Sequence, residues 1–141
     1  MSRLQEIALV SVHIVRLGSP RSAGEGLRLG TVRRPPRGVP KRDFSRRDFY
    51  DVWLPILSPS SALVDEALSA RNEVEWRRFA RKYRAEMKRP DASRTLDLLA
   101  AMSHTANFAV GCYCLDETRC HRRLLRELLA ERGASLAEAG G

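Results

Sequence analysis

Cysteine, histidine and arginine crowd into one short run of the chain, Cys112-Tyr113-Cys114-Leu115-Asp116-Glu117-Thr118-Arg119-Cys120-His121-Arg122. Cys112 and Cys114 are two apart, so at the end of a strand both thiols share one face. Thr118 reads as the cap of a following helix, which puts Cys120 and His121 in its first turn. Backbone N–H groups there lack helical partners, and the positive end of the dipole favours an anion or a thiolate. Arg119 and Arg122 add positive charge. These conditions activate thiols, so Cys120 is the candidate nucleophile and His121 the candidate proton carrier. Cys112 and Cys114 would line the wall.

Two other chemistries suit the same residues. Cys-x-Cys-x5-Cys-His offers four donors for a zinc ion, but neighbouring residues on a helix point in different directions and the spacing matches no common zinc pattern. No metal ligand is therefore assigned. The structural alternative is that the cysteines are small buried hydrophobes and the histidine satisfies a local hydrogen bond. The sequence names no cofactor.

A second concentration of chemistry lies earlier, at Arg33-Arg34-Pro35-Pro36-Arg37-Gly38-Val39-Pro40. Three prolines forbid a regular helix and hold this backbone extended. Residues 1–50 carry 11 basic and 4 acidic side chains, against 14 and 13 in the remainder, so nearly all of the net charge of +8 is N-terminal. The dense part is Arg28, Arg33, Arg34, Arg37, Lys41, Arg42, Arg46 and Arg47. Such a patch suits phosphates or another polyanion, and guanidinium groups suit bidentate phosphate contacts. Arg33, Arg37, the backbone at Gly38, and Arg122 are the candidate anion ligands. Solvated surface charge in an arginine-rich chain is the competing explanation.

These groups need elements to hold them. The run from Glu6 to Val15 is rich in branched apolar residues and reads as a buried strand, followed by a small-residue loop and a second strand from Leu27 to Arg33. Phe49 to Leu57 is a dense apolar block cut by Pro55, expected to pack over the sheet. Ser58-Pro59-Ser60 reads as the start of a helix over about residues 59–70. Trp76, Phe79, Ala80, Tyr83 and Met87 recur at three and four along Glu73 to Lys88, so their stripe reads as core rather than as a base-stacking platform. Asp91 or Ser93 would cap a third helix through Met102. Asn107 to Tyr113 reads as another buried strand, and Leu124, Leu125, Leu128 and Leu129 share a stripe on a last helix from about Thr118 to Arg132.

The 141 residues, 43% hydrophobic and 30% charged, fit one globular domain without repeat or linker. The expected fold is a single α/β domain, its mostly parallel sheet flanked by helices, over residues 1–132, with a flexible tail at 133–141. No apolar run approaches the ~18 to 20 residues that span a bilayer, so no membrane role is expected. The apolar run at Ile7 to Val15 lacks the cleavage pattern of a secretory signal, and an odd count of three cysteines argues against a disulfide framework, so a cytoplasmic location is expected.

Taken together, these motifs resemble the DUF488 family, including its YeaO-like members. The run from Val110 to Leu125, a strand and then Cys-x5-Cys-His-Arg opening a leucine-rich helix, is similar to the family's C-terminal signature. Pro36-Arg37-Gly38 resembles its Pro-Arg-Gly loop, Leu57-Ser58-Pro59-Ser60 its Ala-Pro-Ser helix start, and Trp76-x-x-Phe79-x-x-x-Tyr83-x-x-Glu86 its aromatic helix. The likeness covers roughly residues 5–132. Val32 stands where family members often have aspartate, and Pro35 where YeaO-like members have tryptophan. The resemblance implies an α/β fold with a pocket where the Pro-Arg-Gly loop meets the Cys-His-Arg helix start, and no established reaction. The expected ligand is an anionic, phosphate-bearing or nucleotide-like small molecule. Nucleic acid bound by the N-terminal arginines is the alternative, and a metal-binding or redox-sensing module a further one.

Overall fold

A computed structural model describes residues 10–114 and 116–138. Four parallel strands form one sheet in the order β1-β4-β2-β3, with β1 at Val12–Arg16, β2 at Leu27–Gly30, β3 at Val52–Trp53 and β4 at Phe108–Cys112. Among the described residues four helices accompany the sheet: α1 at Ser61–Ser69, α2 at Glu73–Glu86, α3 at Pro90–Met102 and α4 at His121–Glu131. The fold is the expected single α/β domain. β4 is the centre of the sheet, and all five of its residues are buried. Since every strand runs the same way, Arg16, Gly30, Trp53 and Cys112 end at one edge of the sheet, where loops can converge on a ligand.

The main core is built from the periodic residues. Trp76, Phe79, Tyr83 and Met87 of the aromatic stripe are 4%, 1%, 0% and 2% exposed, and they pack with Leu124, Leu125, Leu128 and Leu129 of α4 and with Val12 and Val110 of the sheet. The Tyr83 hydroxyl donates to Leu57 O at 2.7 Å, so the one polar atom the stripe buries is satisfied. Among the described residues no helix is long and apolar enough to cross a membrane.

Several elements depart from expectation, each for a local reason. The first strand is shorter than its apolar run. Glu6 to Leu9 lie outside the described residues, and the ladder with β4 begins at Val12, paired with Phe108. β2 ends at Gly30 rather than Arg33 because the chain turns out of the sheet after Thr31, whose N–H still donates to Gly111 O at 3.0 Å. The apolar block divides: Val52 and Trp53, 45% and 46% exposed, form an edge strand, while Leu57 is buried and Leu54 and Ile56 pack against the core. Ser60, not Ser58, caps α1, accepting from Leu63 N, and α3 starts directly at Pro90 without a side-chain cap.

The consequential departure is at the last helix. Asp116 accepts from both the backbone N–H of Thr118 at 2.9 Å and its hydroxyl at 2.6 Å. Thr118 is thereby drawn into a separate short 3-10 turn, Glu117–Arg119, and α4 begins at His121 with Cys120 as its N-cap residue. Cys120 has extended backbone, φ −139° and ψ 152°. It is therefore not a helical residue, and its side chain is free to converge with that of His121. Beyond α4, Val12 N–H donates to Ser135 O and Ala137 N–H donates to Val12 O, so residues 135–137 run beside β1, while residues 139–141 of the expected tail lie outside the described residues.

Candidate functional site

The carboxyl ends of β2 and β4, α1 and the start of α4 enclose a cavity of about 420 Å³. Its walls are mostly apolar, with Val64, Leu68 and Phe79 on one side and Val32 and Tyr113 on the other. Arg33, Arg34 and Arg119 supply its charge, and no carboxylate is among the described residues that line it. Cys112, Cys114, Cys120 and His121 all border it. Five of the candidate site residues singled out from sequence, Arg33, Cys112, Cys114, Cys120 and His121, therefore meet in one place.

His121 is 8% exposed, and its Nε2 lies 2.7 Å from Thr31 O and 3.4 Å from Thr31 Oγ1. A carbonyl only accepts, so Nε2 carries the proton and Nδ1 presents its lone pair, 3.9 Å from Cys120 Sγ. The Thr31 hydroxyl donates to Gly111 O at 2.9 Å, which fixes the threonine on the central strand. Burial pulls the imidazole down to about 4, against a partial opposing contribution from the bond to Thr31 O. At neutral pH His121 is thus an uncharged proton acceptor. Tyr83 packs edge-on against it at 5.7 Å between ring centres, coupling it to the aromatic core.

The three thiols differ in exposure. Cys112 and Cys120 are each 2% exposed and sit in a small second core with Leu17, Val32 and Tyr50, their sulfurs 2.6 Å apart. Cys114 is exposed. A hydrogen bond from Cys112 lowers the Cys120 thiol, but its bond to Cys114 and its burial outweigh this and push it up to about 11. Hydrogen bonds to Cys114 and Cys120, with burial, push Cys112 up as well. The neighbouring Cys112 and Cys120 thiols hold the Cys114 thiol well below its usual range, against the opposing effect of burial. Cys120, the nucleophile expected from its helix position, is buried at the cavity wall, as is Cys112, and Cys114 is the thiol that meets solvent.

The arginines divide in the same way. Arg33 is half-buried, its Nε and Nη2 donating to Pro59 O at 3.1 Å and Ser58 O at 3.3 Å, so it braces the wall as well as charging it. Arg34 is exposed at the rim, and the Tyr113 hydroxyl donates to its carbonyl at 2.9 Å, tying the loop to the end of β4. Arg37 and Gly38 are exposed and do not border the cavity. The loop reaches the cleft through residues 32–34, before the two prolines redirect it. Arg122 is 4% exposed and does not border the cavity either. Its Nη2 donates to Cys114 O at 2.6 Å, which holds the segment after β4 in place. Arg119 borders the cavity and lies 3.6 Å from Glu73.

The N-terminal patch loses a member. Arg28 is fully buried, with Nε 2.6 Å from Glu25 Oε2 and further bonds to the carbonyls of Ser19, Pro20 and Asp48. It staples the loop after β1 and the approach to β3 onto the sheet and cannot reach a phosphate. Arg42, Arg46 and Arg47 remain exposed, Arg46 bonded to Asp43 at 2.6 Å. Thr31 and Tyr113 are site residues that sequence reasoning missed. From sequence both fall within the expected strands, and only the observed strand ends at Gly30 and Cys112 place them at the site.

A family model described as the active DUF488-N3 subclade, DUF488-N3a, matches residues 12–133. No curated protein and no solved structure matches the chain.

Proposed function

The chain belongs to the DUF488 family, and from that premise we propose that it binds an anionic, phosphate-bearing or nucleotide-like small molecule in the cavity at the carboxyl ends of its strands. The observation that carries this reading is the lining: three arginines, no carboxylate among the described residues, and apolar walls large enough for a ring system. A buried apolar surface with a few convergent charged groups is the usual form of a small-molecule site. Arg34 and Arg119 would meet the charged group, with Arg33 held beside them by the Ser58 and Pro59 carbonyls. Val64, Leu68 and Phe79 would cover the uncharged part.

Thiol chemistry, where the ligand calls for it, belongs to Cys114 at the cavity wall rather than to buried Cys120. His121 would hold its ring in one tautomer through Thr31 and offer Nδ1 as a proton acceptor inside the site.

Adenosine monophosphate and adenosine are suitable probes for calorimetric titration. The monophosphate is expected to bind at least about tenfold more tightly than the nucleoside. Arg34→Glu should remove at least about tenfold of that affinity, or ~1.4 kcal/mol, while Arg37→Glu, outside the cavity, should change it by much less. Equal affinity for nucleoside and nucleotide, or an equal loss in both variants, would end the proposal.

A further inference from the structure

The sulfurs of Cys112 and Cys120 are in direct contact at 2.6 Å, both side chains are 2% exposed, and the exposed Cys114 borders the same cavity two residues along the chain. From this juxtaposition we propose that the three cysteines form a thiol-disulfide exchange site, in which Cys114 reacts with a low-molecular-weight disulfide and passes the oxidation inward to a reversible Cys112–Cys120 bond. The inference does not depend on anion binding.

The geometry separates the roles. A covalent bond between Cys112 and Cys120 requires the sulfurs to close to about 2.05 Å, a small movement from contact. Cys112 Sγ, Cys120 Sγ and a His121 ring nitrogen lie within 4.8 Å of one another, so a divalent metal is the competing occupant; two thiolates at about 2.3 Å from a tetrahedral zinc would stand roughly 3.8 Å apart, further than this pair. Cys112 and Cys120 are 2% exposed at the cavity wall and Cys114 is exposed, so an incoming molecule meets Cys114 first, and the neighbouring Cys112 and Cys120 thiols favour its thiolate.

The steps balance without any further reagent. The Cys114 thiolate attacks one sulfur of the small disulfide, releases the other half as a thiolate, and becomes a mixed disulfide. Cys120, giving its proton to the released thiolate, attacks Cys114 Sγ, forms a Cys114–Cys120 bond and expels the second thiolate. Cys112, giving its proton to that thiolate, then attacks Cys120 Sγ, and Cys114 leaves. The more acidic thiol is the better leaving group, so the bond settles on the buried pair. The net change is one protein dithiol and one small disulfide giving one protein disulfide and two small thiols. The new bond would tie the end of β4 to the start of α4 at the wall of the cavity.

The test takes the full-length reduced protein into buffers of oxidised and reduced glutathione, with thiol counting, peptide mapping and metal analysis, and no anionic ligand. Free thiols should fall from the three present to one, with residues 112 and 120 linked and reduction by excess reduced glutathione reversing the change. Cys114→Ser, checked by circular dichroism for an intact fold, should reach the same bond at least about tenfold more slowly. Three thiols still free in oxidised glutathione, oxidation that stops on Cys114, or Cys114→Ser reacting at the parent rate would overturn the proposal. Purified protein holding one equivalent of a divalent metal that blocks both buried thiols would overturn it in favour of a metal site. Because no anion is present, these results are independent of the titrations that test the pocket.

Discussion

Replacing Arg28 with leucine is expected to cost the fold about 3–5 kcal/mol in urea unfolding, the largest loss of any single charged side chain among the described residues. The guanidinium bonds twice to Glu25 and to three backbone carbonyls, and both members of the pair are almost wholly buried. Leucine would leave Glu25 charged and without its cation in the interior and the carbonyls of Ser19 and Pro20 without their donor, while Asp48 O keeps the Gly18 N–H. The pH dependence identifies the cause. Burial alone would raise the Glu25 carboxyl, but the hydrogen bond from Arg28, the Ser22 N–H and the Arg28 charge together lower it from 4.5. In the parent protein this pair therefore contributes stability above about pH 4.5 that is lost as the pH falls through the lowered folded value. In Arg28→Leu burial, the largest contribution, is opposed mainly by the Ser22 N–H, the folded carboxyl is expected to move above its unfolded value, and the same group should make the variant gain stability as the pH falls toward 4.5. A variant whose stability falls with pH as the parent's does would show that Glu25 was not the buried charge left behind.

The second large effect is expected from Gly26→Ala, at roughly 3–5 kcal/mol. Gly26 has φ +85°, and a Cβ built there lies 2.0 Å from Asn107 O. The residue sits one position before β2 and Asn107 one before β4, so a methyl group would force the two strands apart where their pairing of Leu27 with Phe108 begins. Strain of the left-handed backbone adds to the steric cost. Gly24→Ala is the control. It has a similar φ of +74° with nothing within 4 Å of the added carbon, so it should cost only about 1 kcal/mol. Equal losses in the two variants would mean that backbone conformation, not the close approach of the strands, sets the requirement.

What the sequence displays and what it conceals follow from how far each interaction reaches. Trp76, Phe79, Tyr83 and Met87 are legible because a helix repeats its buried face every three to four residues, and all four are core. β4 is legible because a central parallel strand is apolar along its length. The start of α4 is not, because Asp116 and Thr118 are both good capping residues and only the folded loop shows that Asp116 captures Thr118. That one competition moves Cys120 out of the helix to its N-cap position. Arg28 is concealed for another reason, since a charge count does not distinguish an arginine in solvent from one buried on a glutamate three residues before it. β3 is two residues long, too short for any periodicity, and its place at the sheet edge depends on pairing with β2.

The position of the pocket itself mixes the two. The meeting of the arginine loop with the Cys-His-Arg segment is visible in the motifs. The particular residues that meet are Val32, Arg33 and Arg34 rather than Arg37 and Gly38, because Tyr113 and Trp53 hold the carbonyls of Arg34 and Val32 before the prolines turn the chain away.

The most direct test of the pocket is a titration of isotopically labelled protein with adenosine monophosphate, followed residue by residue through backbone amide resonances. Binding at the proposed cavity should move the amides of Arg33, Arg34, Cys114, Arg119 and His121 together with a single affinity, leaving Arg42, Arg46 and Arg47 unmoved. Shifts confined to Arg42, Arg46 and Arg47 would place the anion on the outer surface and contradict the account.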